Sequence, residues 1–265
     1  MRVQYLLLGL ALGAAVALLK PAISGMDDAN LREVGVEWVN QYNGKAPNLS
    51  ACDDDAVGFY NAIRAVGWTG VYNWGDNNAW ERDFKSVTVT GGNDANYADN
   101  VDFVYFAGHG NMDGFYFGTN QTDWQVKYSD LRLGDKDAEW IALSSCLCMN
   151  YNSGAVFSRW GWPVFKGLHM ILGMDTVMSD TPSMGTYFVR FMTGSSAYPS
   201  YGTKLPVGMA WRYAGYYALP AGQYVGMLWA QQGTSNAWND YLPGYGPVIP
   251  DPNTPSTLWW TRYPC

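Results

Sequence analysis

Histidine is nearly missing from this chain, and so is positive charge. Only His109 and His169 occur in 265 residues. The four cysteines, Cys52, Cys146, Cys148 and Cys265, form no CxxC or CxxCH spacing. That excludes the ligand density of a zinc or haem framework, so no metal and no cofactor is expected. Charged residues make up 15%, with 16 Lys+Arg against 23 Asp+Glu and a net charge of −7. A chain without a basic patch is a poor match for nucleic acid or for an anionic membrane surface. No internal repeat is present, which excludes solenoid architectures.

What the chain has is apolar and aromatic. Hydrophobic residues reach 48%, with 13 Trp and 19 Tyr. This supports a well-buried core, and leaves open an oligomer interface or surfaces that stack on glycans. At the N-terminus Met1-Arg2 precedes Val3 to Leu19, seventeen residues with only Gln4 polar, and then Lys20-Pro21. Such a run fits the apolar region of a signal peptide, with Ala22-Ile23-Ser24 as a small-residue cleavage site. It also spans about 25 Å as a helix, close to the minimum for a bilayer crossing, so a retained anchor is the alternative. Three segments follow: residues 1–24 as export signal or anchor, 25–240 as one α/β domain, and 241–265 as a Pro/Gly-rich extended tail. The expected location is secreted or cell-surface.

Six β-rich or apolar runs read as strands: 34–39, 70–74, 101–107, 140–143, 169–174 and 224–229. Helical patterns lie between them. Asp53, Asp54 and Asp55 open one that Gly67 closes. Others cover 79–85, 155–160, 183–192 and 207–217, the last preceded by Pro206. A hairpin is expected around FYFG at 115–118. Apolar strands separated by helices predict a mostly parallel sheet of about six strands with helices on both faces. In such sheets sites form beyond the carboxyl ends of the strands. His109 follows one such end and Cys146 another, 37 residues later.

A cysteine needs a base or a favourable field to become a thiolate nucleophile, and His109 is one of two imidazoles on offer. Gly110, lacking a side chain, lets its N–H approach a developing oxyanion, with the Cys146 N–H as second donor. The block VDFVYFAGHG followed by WIALSSC resembles the signature of the caspase-like cysteine peptidases, which include caspases, legumain, gingipains, clostripain and separase. The segments GVEWV, DFVYFAGHG, ALSSC and GLHMILG are also similar to a family of secreted archaeal and bacterial proteins. The resemblance implies a caspase-like sandwich in which His109 is the general base, Cys146 the nucleophile and Gly110 part of the oxyanion hole. The partner would be a protein or peptide substrate.

Asp113 and Asp175 are the candidates for a pocket that binds a basic side chain. Cys148 either resolves an oxidised Cys146 or points inward. His169, at the start of its strand, reads as a hydrogen-bonded core histidine. Cys52 and Cys265 are able to pair in an oxidising compartment. The alternative function is a non-catalytic surface or filament subunit, a homo-oligomer joined through the N-terminal segment and the tail. A glycan-binding module is a third reading.

Overall fold

Each of the six expected apolar runs forms a strand. The computed structural model describes residues 32–118, 123–194 and 202–265. The apolar segment from Val3 to Leu19, and with it the expected division at residue 24, lies outside the described residues. In chain order the elements are β1 (Glu33–Trp38), α1 (Cys52–Arg64), β2 (Thr69–Gly75), β3 (Phe103–Ala107), β4 (Gly110–Asn111), β5 (Gly114–Tyr116) and β6 (Gln125–Lys127). There follow β7 (Trp140–Ser144), β8 (Met170–Met174), α2 (Met184–Thr193), α3 (Val207–Ala218), β9 (Tyr224–Gln232), β10 (Ser235–Asn236) and β11 (Thr257–Pro264).

The central sheet has eight strands in the order β10-β9-β8-β7-β3-β1-β2, with β11 also paired to β9. Pairs β1–β2, β1–β3, β3–β7 and β7–β8 are parallel, whereas β9 runs antiparallel to β8 and β11. The parallel strands β3, β7 and β8 are buried at every position, which is why they read as unbroken apolar runs rather than as alternation. β4, β5 and β6 form a separate three-stranded antiparallel sheet. Its turn falls at Met112-Asp113, slightly before the expected hairpin, because Asn111 Oδ1 accepts from the Asp113 and Gly114 N–H groups.

Among the described residues the three longest helices cover one face. α1, α2 and α3 all place their buried residues in one cluster with the inner side chains of β1, β3, β7, β8 and β9. α1 ends near Gly67, whose φ of +96° suits glycine and whose N–H donates to Arg64 O at 3.0 Å. The opposite face carries β4–β6, loops and short helical turns around a second cluster. The stretch expected as a helix at 155–160 is one, α-helical at Ala155-Val156 and continuing as a π-helix (Phe157–Gly161), whereas 79–85 is only a 3-10 turn (Glu81–Asp83).

On this irregular face, carboxylates take the amides that a helix would have satisfied. Asp99 accepts from the N–H groups of Gly134, Lys136 and Ala138, Asp94 from Val87 and Ala95, and Asp76 from Asn40 and Gln41. The segment expected as a tail is extended, but its last part is a strand of the central sheet, with Leu258 in the second core cluster. Among the described residues no helix is long and apolar enough to cross a membrane.

Candidate active site

The exits of β3 and β7 are stapled together. The Gly108 N–H donates to Ser144 O at 3.2 Å, and Ser145 Oγ donates to Gly108 O at 2.9 Å. Parallel pairing in register, Ala107 opposite Ser144, therefore delivers His109 and Cys146 to one edge. Both line a cleft of about 230 Å³, together with Leu49, Cys52, Asp55, Met178 and Asp180 among others.

His109 is held from three sides by the loop after β1. Its N–H donates to the Tyr42 hydroxyl at 2.7 Å, and its ring lies 4.6 Å from the Tyr42 ring. Nε2 is 2.8 Å from the Pro47 carbonyl oxygen. A carbonyl only accepts, so Nε2 carries the proton, and a neutral ring presents its lone pair at Nδ1.

Cys146 sits on a turn made by Leu147, whose φ of +62° lies in the left-handed region. That conformation costs a non-glycine residue about 1–2 kcal/mol, and it is stabilised here by the Leu147 N–H donating to Thr176 O at 3.1 Å. Cys146 Sγ accepts from the Met178 N–H at 3.3 Å. The thiol in turn faces the Met178 carbonyl oxygen at 3.8 Å.

Gly110 lies against this turn. A Cβ at Gly110 would fall 2.8 Å from Ser145 Cβ, 2.9 Å from Cys148 Sγ and 3.0 Å from Cys146 O. In the β4–β5 pairing the bond next to it runs from the Tyr116 N–H to His109 O, so Gly110 occupies a non-hydrogen-bonded pair and the ladder does not use its N–H. Gly110→Ala is expected to cost about 1–3 kcal/mol of stability by overpacking, measured by urea unfolding.

The other expected site residues lie elsewhere. Asp113 is exposed in the β4–β5 turn, outside the cleft. Asp175 is buried and already committed: it accepts from Arg262 Nη1 at 2.7 Å and from the Tyr151 N–H at 2.9 Å. Neither carboxylate lines the cleft. Cys52 and Cys265 are not bonded, since all four cysteines are free. Cys52 Sγ donates to Asp180 Oδ1 at 3.7 Å at the start of α1, whereas Cys265 is buried against Gly215 of α3. Cys148 points inward, its thiol donating to Gly114 O at 3.7 Å, and burial pushes its pKa up. His169 is fully buried between Asp240 and Asp251 and does not reach the cleft.

Acidic residues do reach the cleft, but not the expected ones. Asp180 Oδ2 accepts from the Ser50 N–H, the Ser50 hydroxyl and the Ala51 N–H, which leaves Oδ1 facing only the Cys52 thiol. Asp55 lies deeper. It accepts from Tyr105 Oη at 2.8 Å, Ser144 Oγ at 2.7 Å and the Gly185 N–H at 2.6 Å. Burial outweighs these donors and pushes the Asp55 carboxyl up to about 6. One sequence signal pointed here: Asp55, Phe59 and Ile63 recur every four residues, so the carboxylate sits on the apolar stripe of α1.

No curated protein matches the chain. Residues 36–263 match the family described as "Domain of unknown function (DUF6345)". The match takes in β3, β7, the cleft and all but the end of β11, and the chain belongs to this family.

Proposed function

We propose that the chain is an exported, caspase-like cysteine peptidase that cleaves after a basic residue. One observation carries this reading: His109 and Cys146 leave adjacent parallel strands, cross-linked by two hydrogen bonds, into one cleft. In the proposed reaction His109 Nδ1 takes the Cys146 proton, and the thiolate attacks the scissile carbonyl carbon. The resulting oxyanion faces the Gly110 and Cys146 N–H groups. Collapse breaks the C–N bond, and the His109 proton goes to the leaving amine. Water, deprotonated by the same nitrogen, then hydrolyses the thioester and frees the thiol.

The carboxylates supply the specificity. Asp180 Oδ1 has only a weak thiol donor, in a cleft whose base is the buried Asp55. A guanidinium or ammonium group fits that arrangement, and an acidic side chain does not. The alternative of an assembly subunit gains nothing from the C-terminal segment, which pairs with β9 of its own chain.

The test is a panel of fluorogenic peptides differing only in the residue before the scissile bond, with an arginyl chloromethyl ketone as label. Cleavage should follow Arg and Lys, and the label should sit on Cys146 in peptide mass maps. Asp180→Asn should lose about 2 kcal/mol of transition-state binding, roughly thirtyfold in kcat/KM, for Arg peptides alone. Equal cleavage after Asp or Leu would refute the specificity, and a label on another residue would refute the site.

A further inference from the structure

A second cluster of functional groups lies under the irregular face, away from the cleft. Glu37 is fully buried on β1. Its Oε2 accepts from the Trp80 N–H at 3.0 Å, but Oε1 has no partner. Asp83, from the 3-10 turn at Glu81–Asp83, faces it carboxyl to carboxyl, close enough for the two to share a proton, and Asp83 Oδ1 is buried with no other hydrogen-bond donor. The third group comes from β2. The Tyr72 ring lies across Gly35, where a Cβ would meet it at 2.0–2.5 Å. Gly35 and Glu37 are two apart on one strand and share a face, so the Tyr72 hydroxyl is carried to the Glu37 side. That hydroxyl is buried and unpartnered too. Glu81 Oε2 adds a fourth orphaned oxygen nearby.

Buried oxygens with so few donors are costly unless something fills the space between them. Burial and the neighbouring Asp83 push the Glu37 carboxyl well above the usual range, so the pair holds a proton that a divalent cation would displace. The nearest cation, Arg82, is half exposed, stacked on Trp80 at 4.4 Å, and its Nε stays 3.6 Å from Asp83 Oδ1. A cleft of about 300 Å³, lined by Trp74, Asn78, Trp80, Arg82, Asp83 and Tyr97, leads from solvent to Asp83.

We propose that Glu37, Asp83 and Tyr72 bind a hard divalent cation, Ca²⁺ above others, with water in the adjoining cleft completing its coordination. All donors are oxygen, which suits Ca²⁺ and disfavours zinc or copper. The irregular donor set suits the flexible coordination of Ca²⁺ better than the strict octahedron of Mg²⁺. The scarcity of His and Cys gave no hint of such a site, because its ligands converge only through β1, β2 and the turn between them and β3. A separate carboxylate group, Asp94, Asp99 and Asp135, has oxygens within 4.8 Å of one another. Both Asp99 oxygens there are already taken by backbone N–H groups.

Tb³⁺ is the probe, because Trp74 and Trp80 line the cleft and sensitise its emission. The full chain, stripped with EDTA, should show saturable Tb³⁺ emission on excitation of tryptophan, and Ca²⁺ should displace it. Ca²⁺ should also raise the melting temperature, reversibly with EDTA. Glu37→Gln and Asp83→Asn should each weaken Tb³⁺ binding at least about tenfold and abolish the Ca²⁺ shift, whereas Asp135→Asn should do neither. Undiminished emission in both Glu37→Gln and Asp83→Asn overturns the proposal, as does its loss in Asp135→Asn alone. The absence of any Ca²⁺-dependent shift in the unmutated chain overturns it independently of how the variants fold.

Discussion

Cys146→Ala is expected to bring peptide cleavage to background and to remove labelling by the arginyl chloromethyl ketone, with the fold intact. The side chain is only partly buried, and its hydrogen-bonding contacts are to the Met178 backbone, so its loss opens no cavity in either core cluster. His109→Ala is expected to lower kcat by about 10²–10⁴ while the thiol remains labelled more slowly. The two losses should not add, because base and nucleophile act in one step. His109→Gln separates positioning from proton transfer: its amide still donates to Pro47 O but offers no basic nitrogen, so kcat should fall as in His109→Ala. Cleavage that survives Cys146→Ala would remove the peptidase reading.

The largest expected effect on stability comes from the other histidine. His169 Nδ1 lies 2.7 Å from Asp240 Oδ2, and both side chains are fully buried. Asp251 Oδ1 stands 3.4 Å from Nε2. Burial alone would lower the His169 pKa, but the hydrogen bonds and charges of the two carboxylates raise it to about 9. The imidazolium is therefore the native form. His169→Leu leaves Asp240 buried with only the Ile249 N–H, and should cost about 3–5 kcal/mol in urea unfolding. The sign of the pH dependence follows from the raised value. The contribution is fully present below the ordinary histidine value of 6.5 and is lost as pH rises through about 9. Unfolding curves from pH 6 to 10 should show that loss in the unmutated chain, and a flatter profile in His169→Leu.

Much of this molecule is legible in its sequence, for a physical reason. Strands buried on both faces, such as FVYFA and WIALS, leave apolar blocks that need no tertiary information to find. Their ends locate His109 and Cys146. The layers around the sheet are less legible. The 79–85 pattern suggests a helix, yet the chain there forms only a 3-10 turn, and the short helix at 155–160 is anchored across the fold by Arg159, which donates to Met112 O and Asn150 O. No local pattern announces such contacts across the fold. Asp113 and Asp175 stand just after a motif and a strand end, but the fold commits Asp175 to Arg262. Asp180 and Tyr42 become site residues only when the loops after β8 and β1 meet over the cleft.

The asymmetry between the two faces of the sheet sets where the sequence is free to drift. On the helical face each amide is satisfied by the next turn, so most exposed positions of α1 to α3 tolerate exchange. On the other face the Asp99 side chain alone answers for three amides, and Asp94 and Asp76 for two each. Tolerance to substitution is therefore distributed unevenly. It is broad and gradual over the helices, and on the loop face it collapses at a few acidic residues whose neighbours vary freely.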